Sequence, residues 1–167
     1  VYVSTDDLEI ASIAKEYGAK IPFIRPKELS DDYSKDEEVR NHFINWLGDS
    51  KIECHHLCYL YATAPFITKE TLNSCYELLI KTNSYSVMTV TKFPYPVQRA
   101  LKKDANDNLS FMWEEFKNYR NQDLPELFHD AGQCYFYNLN KSKLNGRIGF
   151  ELPRNQCQDI DTIEDFI

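Results

Sequence analysis

Asp159 and Asp161 stand two apart in the run Arg154-Asn155-Gln156-Cys157-Gln158-Asp159-Ile160-Asp161-Thr162 of a 167-residue chain. Alternate side chains of an extended strand share a face, so the two carboxylates would lie about 7 Å apart, close enough to hold one or two hard cations. A paired-carboxylate magnesium site is the chemistry that this spacing offers. The same doublet is also a common form of solvated acidic surface. Its setting favours the metal: an apolar strand before it, a helix start at Thr162 and Asp165 after it, and a second unusual run, His129-Asp130-Ala131-Gly132-Gln133, upstream.

Other residues offer weaker chemistry. Arginine forks bind carboxylate and phosphate bidentately, which makes Arg25, Arg99 and Arg120 candidate anion clamps, whereas Arg40 and Arg147 read as surface ion pairs. Arg25 and Arg120 fall in loops at predicted strand ends. His129 and Asp130 form either a hydrogen-bonded pair that reads ligand hydroxyls or a capped turn before a strand at Gln133, and composition does not choose between them. Cys54-His55-His56-Leu57-Cys58 holds four borderline or soft ligands, but consecutive strand residues alternate faces and cannot converge on one tetrahedral ion. A strand start with a buried cysteine is the better reading there, and His42 reads as a surface residue on the polar side of a helix. No serine or cysteine sits in a nucleophile elbow.

Composition sets the frame. With 43% hydrophobic and 14% aromatic residues the chain has the makings of one globular domain with a core. A net charge of -7 argues against tracking a nucleic-acid backbone while leaving room for a local cationic pocket. Five cysteines at irregular spacing do not form a disulfide framework and fit a reducing cytoplasm. No apolar run has the length of a membrane span and no signal peptide is visible, so a soluble protein without a membrane partner is expected.

The elements that must position these residues follow a βα rhythm. Residues 1–3 read as a strand, and residues 8–17 as a helix with Asp6 and Glu9 at capping-box spacing, Ile10, Ile13, Ala14 and Tyr17 on its apolar face and Gly18 as its stop. A second strand is expected over residues 19–24, ended by Arg25-Pro26, then a helix carrying Val39, Phe43, Trp46 and Leu47 and closed by Gly48. Residues 57–61 read as a strand buried on both faces of a parallel sheet, followed by a helix capped by Thr68 with Leu72, Cys75, Tyr76 and Leu79 inward, and a strand over residues 85–91. Residues 97–101 and 109–113, with a turn over 104–108, predict a projecting β-hairpin. Further strands are expected over 133–138 and 149–152. In such α/β sheets ligands bind beyond the carboxyl ends of the strands, so the loops at residues 4–7, 62–65 and 159–161 are expected to face one site.

Six runs in order, Val3-Ser4-Thr5-Asp6-Asp7, Arg25-Pro26 with Leu29-Ser30-Asp31-Asp32, Leu60-Tyr61-Ala62-Thr63-Ala64-Pro65, Gln122-Asp123-Leu124, His129-Asp130-Ala131-Gly132-Gln133 and Gln158-Asp159-Ile160-Asp161-Thr162, resemble the cytidylyltransferases that activate nine-carbon acidic sugars. Both the 62–65 loop and the 129–133 run have the form seen in the pseudaminic acid branch rather than that of the CMP-sialic acid synthetases. The resemblance implies a Rossmann-like, mostly parallel sheet flanked by helices, incomplete at its N-terminus, with residues 92–118 inserted as a hairpin arm for dimerisation within one domain over residues 1–167. It also implies the reaction of CTP with pseudaminic acid to give CMP-pseudaminic acid and pyrophosphate. By this match Asp159 and Asp161 are catalytic and hold Mg2+, Ser4, Asp6, Arg25 and Thr63 lie on the nucleotide side, and Arg120, Gln122, His129, Asp130 and Gln133 lie on the sugar side. A homodimer through the inserted hairpin is implied as well.

Two departures qualify it. The Gly-rich, lysine-containing phosphate loop that opens family members is not in this sequence, so Val1 matches a strand well inside the family domain and the chain as written is expected to bind CTP poorly. Asp36 stands where the family has a small hydroxyl residue. The rival expectations are a synthetase for CMP-sialic or CMP-legionaminic acid, and a non-catalytic fragment or paralogue that keeps only a dimerisation surface or weak sugar binding.

Overall fold

The structure is a computed structural model that describes residues 1–158, 160 and 163. Two compact units divide the chain, Val1–Cys54 and His55–Ile167.

In the first unit α1 spans Leu8–Glu16 and α2 spans Asp36–Asp49. Asp7, not Asp6, caps α1, its Oδ1 accepting from the Glu9 and Ile10 amides at 2.7 and 3.0 Å, and this frees the Asp6 carboxylate for a partner of its own. The two expected strands shrink to one parallel bridge between Tyr2 and Lys20. The stripe through Ile10, Ile13 and Tyr17 is solvent-facing, with Ile10 52% and Tyr17 88% exposed, while Ala11 is the buried residue of α1. Helical spacing sets which side chains share a face, and the layer laid against that face decides burial. Around α2 the apolar pattern is realised: Val39 and Leu47 are buried, and Tyr2 packs on Phe43 and Trp46 with ring centroids 5.3 and 5.6 Å apart. His42 is half-buried rather than on the surface, its ring edge-on to Phe23 at 4.4 Å. Gly48 does not end α2, which runs on to Asp49.

The second unit holds β1 (His56–Leu60), α3 (Lys69–Thr82), β2 (Ser86–Lys92), β3 (Leu101–Lys103), β4 (Leu109–Phe111), β5 (Phe128–Asn138) and β6 (Arg147–Glu151). Four strands form a sheet in the order β1-β5-β2-β6. β5 pairs antiparallel with both β1 and β2, and β2 pairs parallel with β6, so β1, β2 and β6 run one way with β5 reversed between them. This is an α/β fold with a mixed sheet. β1 is consequently an antiparallel edge strand, not a doubly buried parallel one, and Leu60 is 46% exposed. The hairpin forms as β3 and β4, with Lys103 opposite Leu109 and the turn closed by Asp104, whose carboxylate takes the Asn106 and Asn108 amides. Residues 97–99, expected to open its first strand, make a 3-10 turn instead.

Thr68 caps α3 and the helix lays Cys75 and Leu79 on Val87, Cys134 and Phe136 to form the core of this unit, with Leu72, Leu78, Ile148 and Phe150 at its margin. On β6 a side chain at Gly149 would have its Cβ 3.0 Å from the Val90 Cγ2, a tight contact that the Val90 side chain would have to yield to by a few tenths of an ångström. Among the described residues no helix is long and apolar enough to cross a membrane. Leu79 is fully buried, and Leu79→Ala is expected to lower stability by about 2–5 kcal/mol, read as a drop in the urea midpoint. A surface change such as Lys102→Ala is expected to leave that midpoint in place.

Candidate active site

In the first unit the backbone joins two of the sequence-predicted runs: the Arg25 amide donates to the Thr5 carbonyl at 2.8 Å. This places the Arg25 guanidinium against the 4–7 loop, with Nη2 3.5 Å from Asp6 Oδ1 and Nε donating to Ser30 Oγ at 3.0 Å. Ser30 is itself fixed by donating to the Pro26 carbonyl at 2.9 Å. Ser4 Oγ is buried and takes no hydrogen bond. Asp6, Arg25 and the Ser4 loop are therefore gathered, with a guanidinium held by one hydroxyl and one loosely placed carboxylate. Asp36 begins α2, where a carboxylate interacts favourably with the helix N-terminus.

The second unit carries the rest. Residues 129–132 do not form a loop before a strand; they lie within β5, which begins at Phe128. Met88 faces Tyr135 and Val90 faces Asp130, so two steps along β2 correspond to five along β5. The surplus residues form a bulge in which Gly132 adopts φ +62°. Asp130 ties it: Oδ1 accepts from the Gly132 amide and from the Tyr135 hydroxyl, both at 2.9 Å. On the other side of the bulge the Thr89 hydroxyl accepts from the Cys134 amide at 3.2 Å and lies 3.3 Å from the Cys134 carbonyl, serving backbone groups that the interrupted ladder leaves unpaired. His129 is exposed, its Nδ1 2.8 Å from the Asp130 carbonyl and its ring 4.8 Å from that of Phe93. His129 and Asp130 are thus not hydrogen-bonded through their side chains.

Gln133 is 0% exposed. Its carbonyl accepts from the Tyr61 amide at 3.0 Å, and its side-chain Nε2 donates to the Gln156 carbonyl. Thr63 lies in the turn that follows β1, and its carbonyl accepts from the Ile160 amide at 3.1 Å. Asp159 and Asp161 lie outside the described residues. The structure does bring the residue between them to the Thr63 turn, and two carboxylates are hard oxygen donors suited to Mg2+. Among the described residues no group of three or more His, Cys, Asp or Glu side chains is gathered for a metal. His55 lies 3.2 Å from Asn140 Nδ2, and His56 packs edge-on to Tyr76.

Arg120 and Gln122 are exposed beside and on a 3-10 turn at Asn121–Asp123. Arg120 is held bidentately by Asp123, Nε and Nη2 donating at 2.6 and 3.0 Å. Arg99 donates from Nη1 to Asn121 Oδ1 at 2.8 Å, fastening this turn to the hairpin segment, where a hollow of about 260 Å³ is lined by Tyr95, Arg99, Leu101 and Phe111. Sequence reasoning missed Tyr135, Thr89, Gln156 and Asp123. Only Asp123 carried a local signal, its spacing of three from Arg120; no regular strand brings residues 130 and 135 onto one face.

The residues that flank β5 form a tyrosine cluster, the Tyr135 ring lying 5.2 Å from Tyr61 and 6.3 Å from Tyr59. Burial, then hydrogen bonding with Tyr61 and Asp130, holds the Tyr135 phenol far above its ordinary range.

The chain shares its fold with a solved CMP:2-keto-3-deoxy-manno-octonic acid synthetase complexed with CTP, with a TM-score of 0.58 at 13% identity over 91% of this chain and 71% of that one. This is the nucleotidyltransferase fold. Residues 1–160 match the family model described as Cytidylyltransferase, and the chain belongs to that family. A pseudaminic acid cytidylyltransferase of Campylobacter jejuni is 40% identical over 172 residues, covering 99% of this chain and 74% of the relative. A CMP-N,N'-diacetyllegionaminic acid synthase of Legionella pneumophila is 27% identical over 148 residues, covering 89% of this chain and 57% of that one.

A raised folded-state pKa contributes stability that is intact below the unfolded value near 10 and is lost as pH rises above it. The protein is therefore expected to lose stability more steeply above pH 10 than its Tyr135→Phe variant. Urea midpoints from pH 8 to 11 check this; parallel curves would contradict it.

Proposed function

We propose that this protein transfers a cytidylyl group from CTP to pseudaminic acid, releasing pyrophosphate. The observation that carries the reading is the 40% identity to a pseudaminic acid cytidylyltransferase along 99% of the chain, which includes the His129-Asp130-Ala131-Gly132-Gln133 run. The anomeric hydroxyl of the sugar attacks the α-phosphorus in line; its oxygen forms the new bond to phosphorus, the α–β anhydride bond breaks, pyrophosphate departs and the hydroxyl proton is lost. Asp159 and Asp161 hold Mg2+ in this reading. The ion, when bound, neutralises charge on the phosphates and the leaving group.

The chain's own residues then divide the work. Arg25, poised by Ser30 and Asp6, offers a guanidinium to the nucleotide, and Ser4 and Thr63 are assigned to the nucleotide as well. His129 presents an exposed ring packed at a tilt against Phe93, and Asp130 holds the bulge beside it. Arg120 and Gln122 offer a fork and an amide to the sugar's carboxylate and polar groups. The hairpin carries exposed apolar side chains, Leu109 at 63% among them, and this supports its use as the arm of a homodimer. The five free cysteines support a reducing, cytoplasmic setting.

Pyrophosphate release from CTP and Mg2+ tests the reading, with the gene product taken from its natural start and offered pseudaminic acid or N-acetylneuraminic acid. Release with pseudaminic acid is expected; release with neuraminic acid alone would move the substrate to the sialic acid branch, and none with either would favour a non-catalytic protein. Asp161→Asn is expected to lower kcat at least about 100-fold, in keeping with the several kcal/mol that a bound metal supplies. His129→Ala is expected to raise KM for the sugar well beyond that for CTP, and an equal rise in both would contradict its placement.

A further inference from the structure

We propose that Gln133 is a positioning residue that fastens to the sheet the strap of residues 152–158, which leads along the chain into Asp159 and Asp161, rather than a residue that touches the sugar. The inference rests on the reading of those aspartates as the metal-holding pair. Gln133 has no exposed surface; its Nε2 donates to the Gln156 carbonyl, while its Oε1 is buried and meets no hydrogen-bond partner among the described residues. The amide has a single workable orientation there, because its oxygen would face another oxygen if turned round. Gln133 is itself immobile, since its backbone is held by the Tyr61 amide and it stands in the bulge closed by Asp130.

The strap has an anchor at each end. At its start the Leu152 amide donates to Val90 at 2.8 Å, and Thr91 Oγ1 donates to the Leu152 carbonyl at 3.0 Å. Beyond its end the Ile160 amide reaches Thr63. Between the anchors the Gln156 and Cys157 amides bond to Pro153 and Arg154 within the strap itself, in the 3-10 turn at Arg154–Gln156. Gln133 supplies a link from the sheet midway along, three residues before Asp159 and five before Asp161. An error of about 1 Å in a carboxylate pair is costly in catalysis, which gives such a link its effect.

Gln133→Leu and Gln133→Glu in the complete enzyme test this. Gln133→Leu is expected to lower kcat about 10–100-fold, as loss of groups that orient metal ligands does, with KM for the sugar within about twofold of wild type. Amide hydrogen exchange in the strap is expected to quicken while that of α3 stays as in wild type. Gln133→Glu keeps the size of the side chain and donates only when protonated, so its activity relative to wild type is expected to rise as pH falls toward 5 and to drop as the carboxyl ionises. A rise in sugar KM with unchanged strap exchange would overturn the proposal in favour of direct sugar contact. Faster exchange throughout the unit, or a Gln133→Glu variant without pH dependence relative to wild type, would overturn it in favour of a general core role. If wild type releases no pyrophosphate, the reading of the aspartates falls, and strap exchange still decides whether Gln133 holds the strap.

Discussion

A single carboxylate, that of Asp130, closes the bulge on which the geometry of the larger unit depends. β5 must return between β1 and β2, and it does so with three residues more than its partner over the same stretch. An odd number of inserted residues exchanges the faces of the sheet for everything beyond it, because side chains alternate with a period of two. Asp130 absorbs this by taking both the Gly132 amide and the Tyr135 hydroxyl. Asp130 is exposed, so solvent weakens each of these bonds, and the closure rests on both being made by the same oxygen. Tyr135 keeps its proton because it is buried and because that proton is what Asp130 receives.

The bulge has two outcomes at once. It puts His129 at the surface against Phe93, and it buries Gln133 with its amide turned to the segment that follows β6. One irregularity therefore serves the open side and the buried side of the same strand. Thr89 and Thr91 do the corresponding work on β2, the first at the interrupted ladder and the second at the start of the strap. Their hydroxyls lie in the interior, where a polar group without a partner would be costly.

Much of this was legible in the sequence, and the exceptions have physical causes. The helices could be placed from their caps and apolar spacing, although Asp7 rather than Asp6 took the cap of α1, since neighbouring acids compete for one position and local chain geometry decides. The hairpin was visible because Asp104 and Asn108 carry turn chemistry within five residues. The reversal of β5 was not visible, because an alternating pattern states that a strand has two faces and says nothing of its direction. The run His129 to Gly132 looked like a loop for a sound reason: glycine and aspartate favour turns, and a bulge uses the same residues inside a strand. Gln133 could be matched to a family motif, but its burial and its bond to Gln156 are visible only in the fold.

Arg25 and Arg120 show how the partner of a guanidinium decides what it can do next. Arg25 is oriented by a neutral hydroxyl at 3.0 Å and by a carboxylate at 3.5 Å, a held but weakly compensated cation. Arg120 is paired bidentately with Asp123 on an exposed turn, and exposed ion pairs are worth only about 0.2–1 kcal/mol. A ligand carboxylate that offers the same two oxygens can exchange with Asp123 at little cost, whereas a neutral ligand cannot match the charge it would displace. Under the proposed reading of Arg120 as a sugar contact, such an exchange favours an acidic sugar over an uncharged one.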